Sequence, residues 1–185
     1  GFDKAVEQTD NKFIRELQKK IRDDFFTSLD KGTGTATGAS FKQASAQAWA
    51  KVTSAFPEDD VTVIAFFNPE DVADYLSGVN ISTQNSFGLT YAENVLGLKT
   101  AIIHPSIKKG TFYATASQNL VLAYAQINGE INKGGFGFAT DDSGIIGVTH
   151  DINKINLTSQ TVTLFGITLY AELLDGVVKG TITGV

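Results

Sequence analysis

Val61-Thr62-Val63-Ile64-Ala65-Phe66-Phe67-Asn68-Pro69-Glu70-Asp71 is the stretch whose reading decides the fold. Its first seven residues are β-branched and aromatic on both phases of a two-residue period. A strand apolar on both faces must be covered twice, so 61–67 is expected to be a central, doubly covered strand. The next four residues form a helix start. Asn68 suits the N-cap, Pro69 the first helical position, and Glu70 and Asp71 the positive end of the helix dipole. That helix is expected to run to about Leu76 and to stop at Gly78.

Upstream, Phe41, Ala44, Ala48, Trp49, Val52 and Phe56 fall at helical spacing behind Ser40, a natural cap, and Pro57 ends the run before Glu58-Asp59-Asp60. Before that helix, Asp30 to Ser40 holds three glycines and three threonines in eleven residues. Such a run cannot continue a helix and reads as a loop. Residues 1–31 differ from all the rest. They carry seven Lys/Arg and seven Asp/Glu, against eight and thirteen in the other 154 residues. Val6, Phe13, Leu17, Ile21, Phe25 and Leu29 recur at steps of seven or four, and Glu16 and Lys20 stand at i,i+4. One long amphipathic helix is expected here; roughly 27 residues would span about 40 Å. It would lie along an edge and reach towards neighbours, although a solvated surface helix would show the same pattern.

Downstream, Val79 to Leu89 is polar and reads as a loop. Leu96 to Ile103 and Thr111 to Ala116 read as extended, and Gln118 to Gln126 as a short helix or a strand. Gly134 to Phe138 and Ser143 to Gly147 read as a mobile excursion. Thr161 to Leu174 and Val177 to Ile182 are rich in Thr, Val, Ile and Leu and favour strands, in one sheet or two.

Composition narrows the function. The 185 residues are 42% hydrophobic and 19% charged, which is enough to bury a core. No run approaches eighteen apolar residues and no charged start leads into an apolar segment, so neither a membrane span nor a signal peptide is expected. Cysteine is absent, which excludes disulfides, thiol catalysis and cysteine-held metals. A net charge of −5 argues against a general nucleic-acid binder. The chain opens on Gly1 and contains no methionine, as a processed form or an excised piece of something longer would.

Motifs for chemistry are nearly missing. Gly32-x-Gly34-x-x-x-Gly38 lacks the preceding strand and the Gly-Lys-Ser/Thr ending of a phosphate loop. His104 and His150 belong to no spaced ligand pair. Asp141-Asp142-Ser143-Gly144 lacks the alternating ligands of a calcium loop and reads as a turn. No Gly-x-Ser-x-Gly elbow occurs. Asp71 and Asp74, at i,i+3, are explained as a solvated acidic end complementing the helix dipole. Asn80-Ile81-Ser82 and Asn156-Leu157-Thr158 match the glycosylation triplet, which is short enough to arise by chance. No catalytic, cofactor-binding or metal-ligating residue is assigned, and no enzyme activity is expected. So thin an inventory suits a scaffold or assembly protein.

The order of elements resembles the major capsid protein of tailed phages with the Hong Kong 97-type fold, an α+β fold with a long spine helix, mixed or antiparallel sheets and flanking helices. The matching segments are the helix Phe2–Leu29, the Gly-rich Gly32–Gly38, the helix Phe41–Phe56 and the strand and helix Val61–Leu76, with Phe67-Asn68-Pro69-Glu70-Asp71 the most telling. Val95-Leu96-Gly97-Leu98-Lys99-Thr100 looks like the segment that returns to the sheet after the axial loop. Gly110-Thr111-Phe112-Tyr113 and Val177-Val178-Lys179-Gly180-Thr181 are similar to the later strands.

The resemblance implies a C-terminal portion of such a subunit. Its spans would be a peripheral helix and Gly-rich loop over 1–38, an axial domain over 39–130 and return strands over 131–185, in one compact unit. It further implies self-association into pentamers and hexamers that form an icosahedral shell around DNA, in a virion assembled in the bacterial host cytoplasm. Scaffolding, portal or decoration proteins would be further partners, with no sequence-specific nucleic acid, membrane or cofactor. Gly78–Phe87 would approach the capsomer axis and the long helix would contact neighbouring subunits. Some relatives crosslink subunits with the help of a glutamate. Val162-Thr163-Leu164-Phe165, near its expected place, is apolar, so that chemistry is not carried over. Two alternatives stay open. One is an encapsulin-like protein shell. The other is a small α/β ligand-binding or enzyme domain with a site at the carboxyl end of 61–67, where Asn68, Asp71 and His104 would line a pocket.

Overall fold

The strand expected at 61–67 forms over Val63–Phe67 and stands fourth in a sheet of seven. The computed structural model describes residues 2–79, 82–86, 89–124, 139–140, 146–153, 158–165 and 167–184. In chain order the elements are α1 (Phe2–Leu29), β1 (Gly34–Gly38), α2 (Phe41–Ala55), β2 (Val63–Phe67), α3 (Pro69–Gly78), β3 (Gln84–Ser86), β4 (Leu89–Val95) and β5 (Leu98–Ile103). They continue with β6 (Thr111–Ala116), β7 (Leu120–Tyr124), β8 (Ala139–Thr140), β9 (Ile146–Asn153), β10 (Thr158–Phe165), β11 (Ile167–Ala171) and β12 (Val178–Ile182). The chain is thus a mixed α+β fold.

It divides into two compact units. One comprises Gly1–Asp24 and Leu122–Leu169, the other Phe25–Val121 and Tyr170–Val185. The first holds most of α1 and a three-stranded antiparallel sheet in the order β10-β9-β8. The second holds the seven-stranded sheet, in the order β1-β12-β6-β2-β5-β4-β3. That sheet is mixed: β2 runs parallel to β5 and antiparallel to β6, and β1 runs parallel to β12. β7 and β11 pair as a two-stranded ribbon.

The two-faced apolar pattern of β2 is used on both faces. Val63, Ala65 and Phe67 join the main core with Phe41, Ala44, Ala48 and Val52 of α2 and Val72 of α3. Phe67 stacks on Phe112 at 5.6 Å and meets Phe41 edge-on at 4.8 Å. On the opposite phase, Phe66 meets Phe25 and Phe26 from the last turns of α1, with ring centroids 5.5 and 5.9 Å apart. Each such ring, fully buried, is worth about 1.5–3 kcal/mol over exposure, and edge-on pairs add to that. The apolar stripe of α1 therefore matures along its length: Phe13, Leu17 and Ile21 are half-buried, while Phe25 and Leu29 are buried.

Helix ends follow the expected chemistry. Ser40 accepts a hydrogen bond from Gln43 N at 3.3 Å, and Asn68 accepts one from Glu70 N at 2.8 Å with Pro69 beside it. α3 runs two residues past Leu76, through Gly78. On α1 the expected Glu16–Lys20 pair is replaced by Lys12–Glu16 at 4.0 Å and Lys20–Asp24 at 2.8 Å. Glu16 has a lysine on either side, at i−4 and i+4, and Lys20 has an acid on either side, so spacing alone does not choose between them.

Several expectations need correction. The Gly/Thr run is no plain loop, because Gly34–Gly38 is strand β1, hydrogen-bonded to β12. Local propensity missed it; the partner strand lies far away in sequence and supplies the ladder. The polar stretch 79–89 contains β3, paired with β4 for the same reason. Leu96-Gly97 is not extended. Both residues have positive φ, 52° and 85°, and form the two-residue turn of the β4–β5 hairpin. The alternatives at 118–126 resolve into a 3-10 turn at Ser117–Asn119 followed by strand β7. Within 161–174, Leu174 opens a 3-10 turn. Trp49 leaves the core: it is 47% exposed, and Ser45 takes the inward place on α2. Of the Gly-rich excursion, 134–138 and 143–145 lie outside the described residues, while Ile146 and Gly147 begin β9.

Candidate functional site

The carboxyl end of β2 is where an open α/β sheet would place a ligand. Asn68, Asp71 and His104 do converge there, and all three are buried. What they hold is backbone. Asn68 caps α3 with its carbonyl oxygen and donates from Nδ2 to Ile107 O at 2.6 Å. Asp71 Oδ2 accepts from Gly110 N at 2.8 Å. His104 Nδ1 accepts from Ser106 N at 3.0 Å, the His104 backbone N–H donates to Phe67 O at 2.9 Å, and its ring lies 5.9 Å from that of Phe26. Together they fasten the connection between β5 and β6 to the start of α3. This is structural work.

Asp71 departs from its expected solvated role. It is 5% exposed, and its Oδ1 is buried with no hydrogen-bond partner. Burial raises its carboxyl pKa above the ordinary range; the Gly110 N–H and the Lys109 charge oppose the shift without cancelling it. Asp74 stays exposed, and Lys109 pairs with Glu70 at 3.1 Å on the surface. Asp71 also borders an open cleft, with Ser40, Phe41, Lys42, Glu70, Asp74 and Lys109, which includes neither Asn68 nor His104.

Two further polar clusters carry the second unit, and no local sequence signal pointed to either. Asp30, just past α1, accepts from Tyr113 OH at 2.7 Å and pairs with Lys179 at 2.6 Å. Both contacts hold its carboxyl below the ordinary range, and burial together with Asp30 pushes the Tyr113 hydroxyl up. Asn119 is 3% exposed. It donates from Nδ2 to Thr115 Oγ1 and to Leu173 O, both at 2.9 Å, and accepts from Leu173 N at 2.8 Å, which clamps the chain returning to β12. Asn119 and Leu173 lie 54 positions apart and Asp30 and Tyr113 83, so only the folded chain reveals these contacts.

The remaining sequence candidates are dispersed. His150 lies in β9 opposite Thr161, and Val162–Phe165 lies in β10 opposite Thr149 to Ile146. Residues 141–144, the possible calcium turn, lie outside the described residues, as do Asn80, Ile81, Asn156 and Leu157 of the two triplets. Among the described residues no group of three or more His, Asp or Glu could hold a metal ion, and no helix is long and apolar enough to cross a membrane. Exposed apolar side chains include Trp49, Leu122, Tyr170, Leu173 and Leu174.

No protein-family model matches the chain, and no curated protein matches it. Solved structures do. A virus-like particle from Pyrococcus furiosus matches with a TM-score of 0.50 at 11% identity, over 90% of this chain and 61% of that one. The holo-SrpI encapsulin complex from Synechococcus elongatus PCC 7942 matches at 0.42 and 15% identity, over 80% and 50%. The procapsid of satellite phage P4 with its size determination protein matches at 0.36 and 13% identity, over 68% and 33%. The last two likenesses are too loose to argue from. The first is a likeness of fold, and this chain spans about three fifths of the length of that particle protein.

Proposed function

We propose that this chain is the C-terminal portion of a shell-forming capsid subunit of the Hong Kong 97 type, and that copies pack into pentamers and hexamers. One observation carries the reading: nine tenths of the chain shares a fold with the protein of a virus-like particle. The chemistry agrees with it. Asn68, His104 and one oxygen of Asp71 at the carboxyl end of β2 are spent on backbone bonds, which weakens the competing ligand-binding reading. The net charge of −5 suits a wall that encloses DNA without gripping it.

On this reading residues 1–38 belong to the peripheral domain, 39–130 to the axial domain and 131–185 to the return strands. The 28-residue α1 acts as the spine and contacts neighbouring subunits, and residues 78–87 approach the capsomer axis. The chain is no enzyme, and its place is the shell of a tailed phage or prophage head, assembled in the host cytoplasm with scaffolding, portal or decoration proteins. An encapsulin-like shell is the same proposal with a different content.

Negative-stain images of the full-length protein, with the absorbance ratio of purified particles, test it. Closed shells with five- and six-fold rings are expected. Nucleic acid inside favours the phage head and a protein cargo favours the encapsulin-like shell. A small discrete oligomer under every assembly condition overturns the proposal.

A further inference from the structure

Gly34-Thr35-Ala36-Thr37-Gly38 reads the same in both directions, and it forms the outer edge of the seven-stranded sheet. Its inner side is filled: Gly34 N donates to Val177 O at 3.0 Å, and Gly38 O accepts from Thr183 N at 2.9 Å. In a parallel ladder this directs the backbone groups of Gly34, Ala36 and Gly38 towards β12 and those of Thr35 and Thr37 away from it. Thr35 and Thr37 are exposed, and among the described residues nothing bonds their outward N–H and C=O groups. Edge strands are normally guarded by a charge, a proline or a bulge, and β1 has none of these within its span.

We propose that β1 pairs antiparallel with β1 of a second copy of this chain, across a two-fold axis at Ala36. The palindrome makes that pairing self-complementary, as a two-fold interface requires. Thr35 falls opposite Thr37 of the partner subunit, and the two exchange both backbone bonds; symmetry repeats the pair on the other side. Their side chains share the face that carries Thr181, where Thr37 Oγ1 already lies 3.3 Å from Thr181 Oγ1, so the pairing extends a threonine ladder. Ala36 meets Ala36 of the partner subunit as a non-hydrogen-bonded pair with Cα atoms about 4.5 Å apart. The next positions on the same face of the strand, Gly34 and Gly38, are glycines, so β1 adds no bulk there against the approach. α2 lies over β1, β12 and β6, about one strand inside the edge. Two copies of α2 would then stand roughly three strand spacings apart, about 14 Å, more than the 8–10 Å that packed helices need. The pairing deepens the proposed self-association by naming one contact within it, and it rests on that reading for its setting. A two-fold dimer can nevertheless form without a shell, so the two fail separately.

The absence of cysteine makes the test direct. Ala36→Cys is expected to yield a disulfide-linked dimer under mild oxidation, about tenfold faster than Thr35→Cys, because thiols at position 35 fall out of register and beyond bridging distance. The double variant Thr35→Cys with Thr37→Cys places its thiols opposite each other at exposed sites. It should crosslink about tenfold faster than either single variant, which covers the case that Ala36→Cys fails to fold. Thr35→Pro removes an outward N–H and leaves the inner ladder intact, so in the Ala36→Cys background it should abolish the crosslink with unchanged circular dichroism. Ala36→Cys and the double variant remaining monomeric while folded, as they would if a strand of another protein occupied this edge, overturns the pairing. So do equal rates for positions 35 and 36. Particles without the crosslink sink the pairing alone; the crosslink without particles sinks the shell reading alone.

Discussion

Gly180 shows how closely single atoms are set in the second unit. It sits opposite Phe112 in the β12–β6 ladder, and a Cβ at this position would collide with the Phe112 ring, itself wholly buried and stacked on Phe67. Gly180→Ala should therefore cost about 2–3 kcal/mol, a fall in melting temperature of roughly 6 °C for a chain of this size. Gly78→Ala, with nothing within 4 Å, is the control and should leave stability unchanged or slightly raised. Asp71 gives a pH-dependent counterpart. Its folded pKa is raised above the unfolded value, so the protonated carboxyl favours folding and that advantage is lost as pH rises through the folded pKa. Asp71→Asn keeps an acceptor for Gly110 N and removes the buried charge. The melting temperature of the variant, measured against the parent, should gain more at pH 7 than at pH 4. An equal difference at both pH values would show that burial of the charge carries no cost. Gly180 did not announce itself beforehand, and Asp71 was singled out only for roles other than accepting from Gly110 N. A glycine in a Val/Lys/Thr run and an acid in a helix's first turn are ordinary, and only a partner far along the chain makes them special.

At the scale of elements, the connection between β5 and β6 hangs on Asn68, which serves two masters through two different atoms: Oδ1 caps α3 and Nδ2 holds Ile107 O. Asn68→Asp separates the roles. The aspartate is as good a cap and better matched to the dipole, yet it has no donor for Ile107 O. A net loss of about 1–3 kcal/mol is expected from thermal or denaturant unfolding, and a variant as stable as the parent would show that the Ile107 bond contributes nothing. The capping half of this device was legible in Asn68-Pro69-Glu70-Asp71, because caps are local chemistry. So were α1, α2, β2 and β6, whose periodicity and caps lie within a few residues. β1 and β3 were not, since Gly-Thr-Ala-Thr-Gly and Gln-Asn-Ser have weak strand propensity and become strands only beside β12 and β4. Trp49 was misplaced for a related reason. Helical spacing admits both 45 and 49 near the same face, and the fold buries the small Ser45 while the indole lies over Gly97 of the β4–β5 turn, 3.4 Å from where a Cβ would be.

At the scale of the whole molecule, no single motif carries the reading; the order of elements does. A 28-residue helix of mixed charge, a β2 strand covered on both faces, and a sheet closed by a strand from the far end of the chain reproduce the fold of a particle-forming protein at 11% identity. The helix and the doubly covered strand were visible in the sequence because each is long or well capped; the place of β12 between β1 and β6 was not, because the ladder is formed with distant segments. The two-unit grouping was not, because it depends on which distant segments meet. The central claim is that this fold serves to build a closed shell. Light scattering of the full-length protein, taken through a series of concentrations and ionic strengths, tests it most directly. The account predicts a species with the mass of a closed shell, in equilibrium with capsomer-sized rings. A mass that stays at one to a few subunits across the whole series would contradict it.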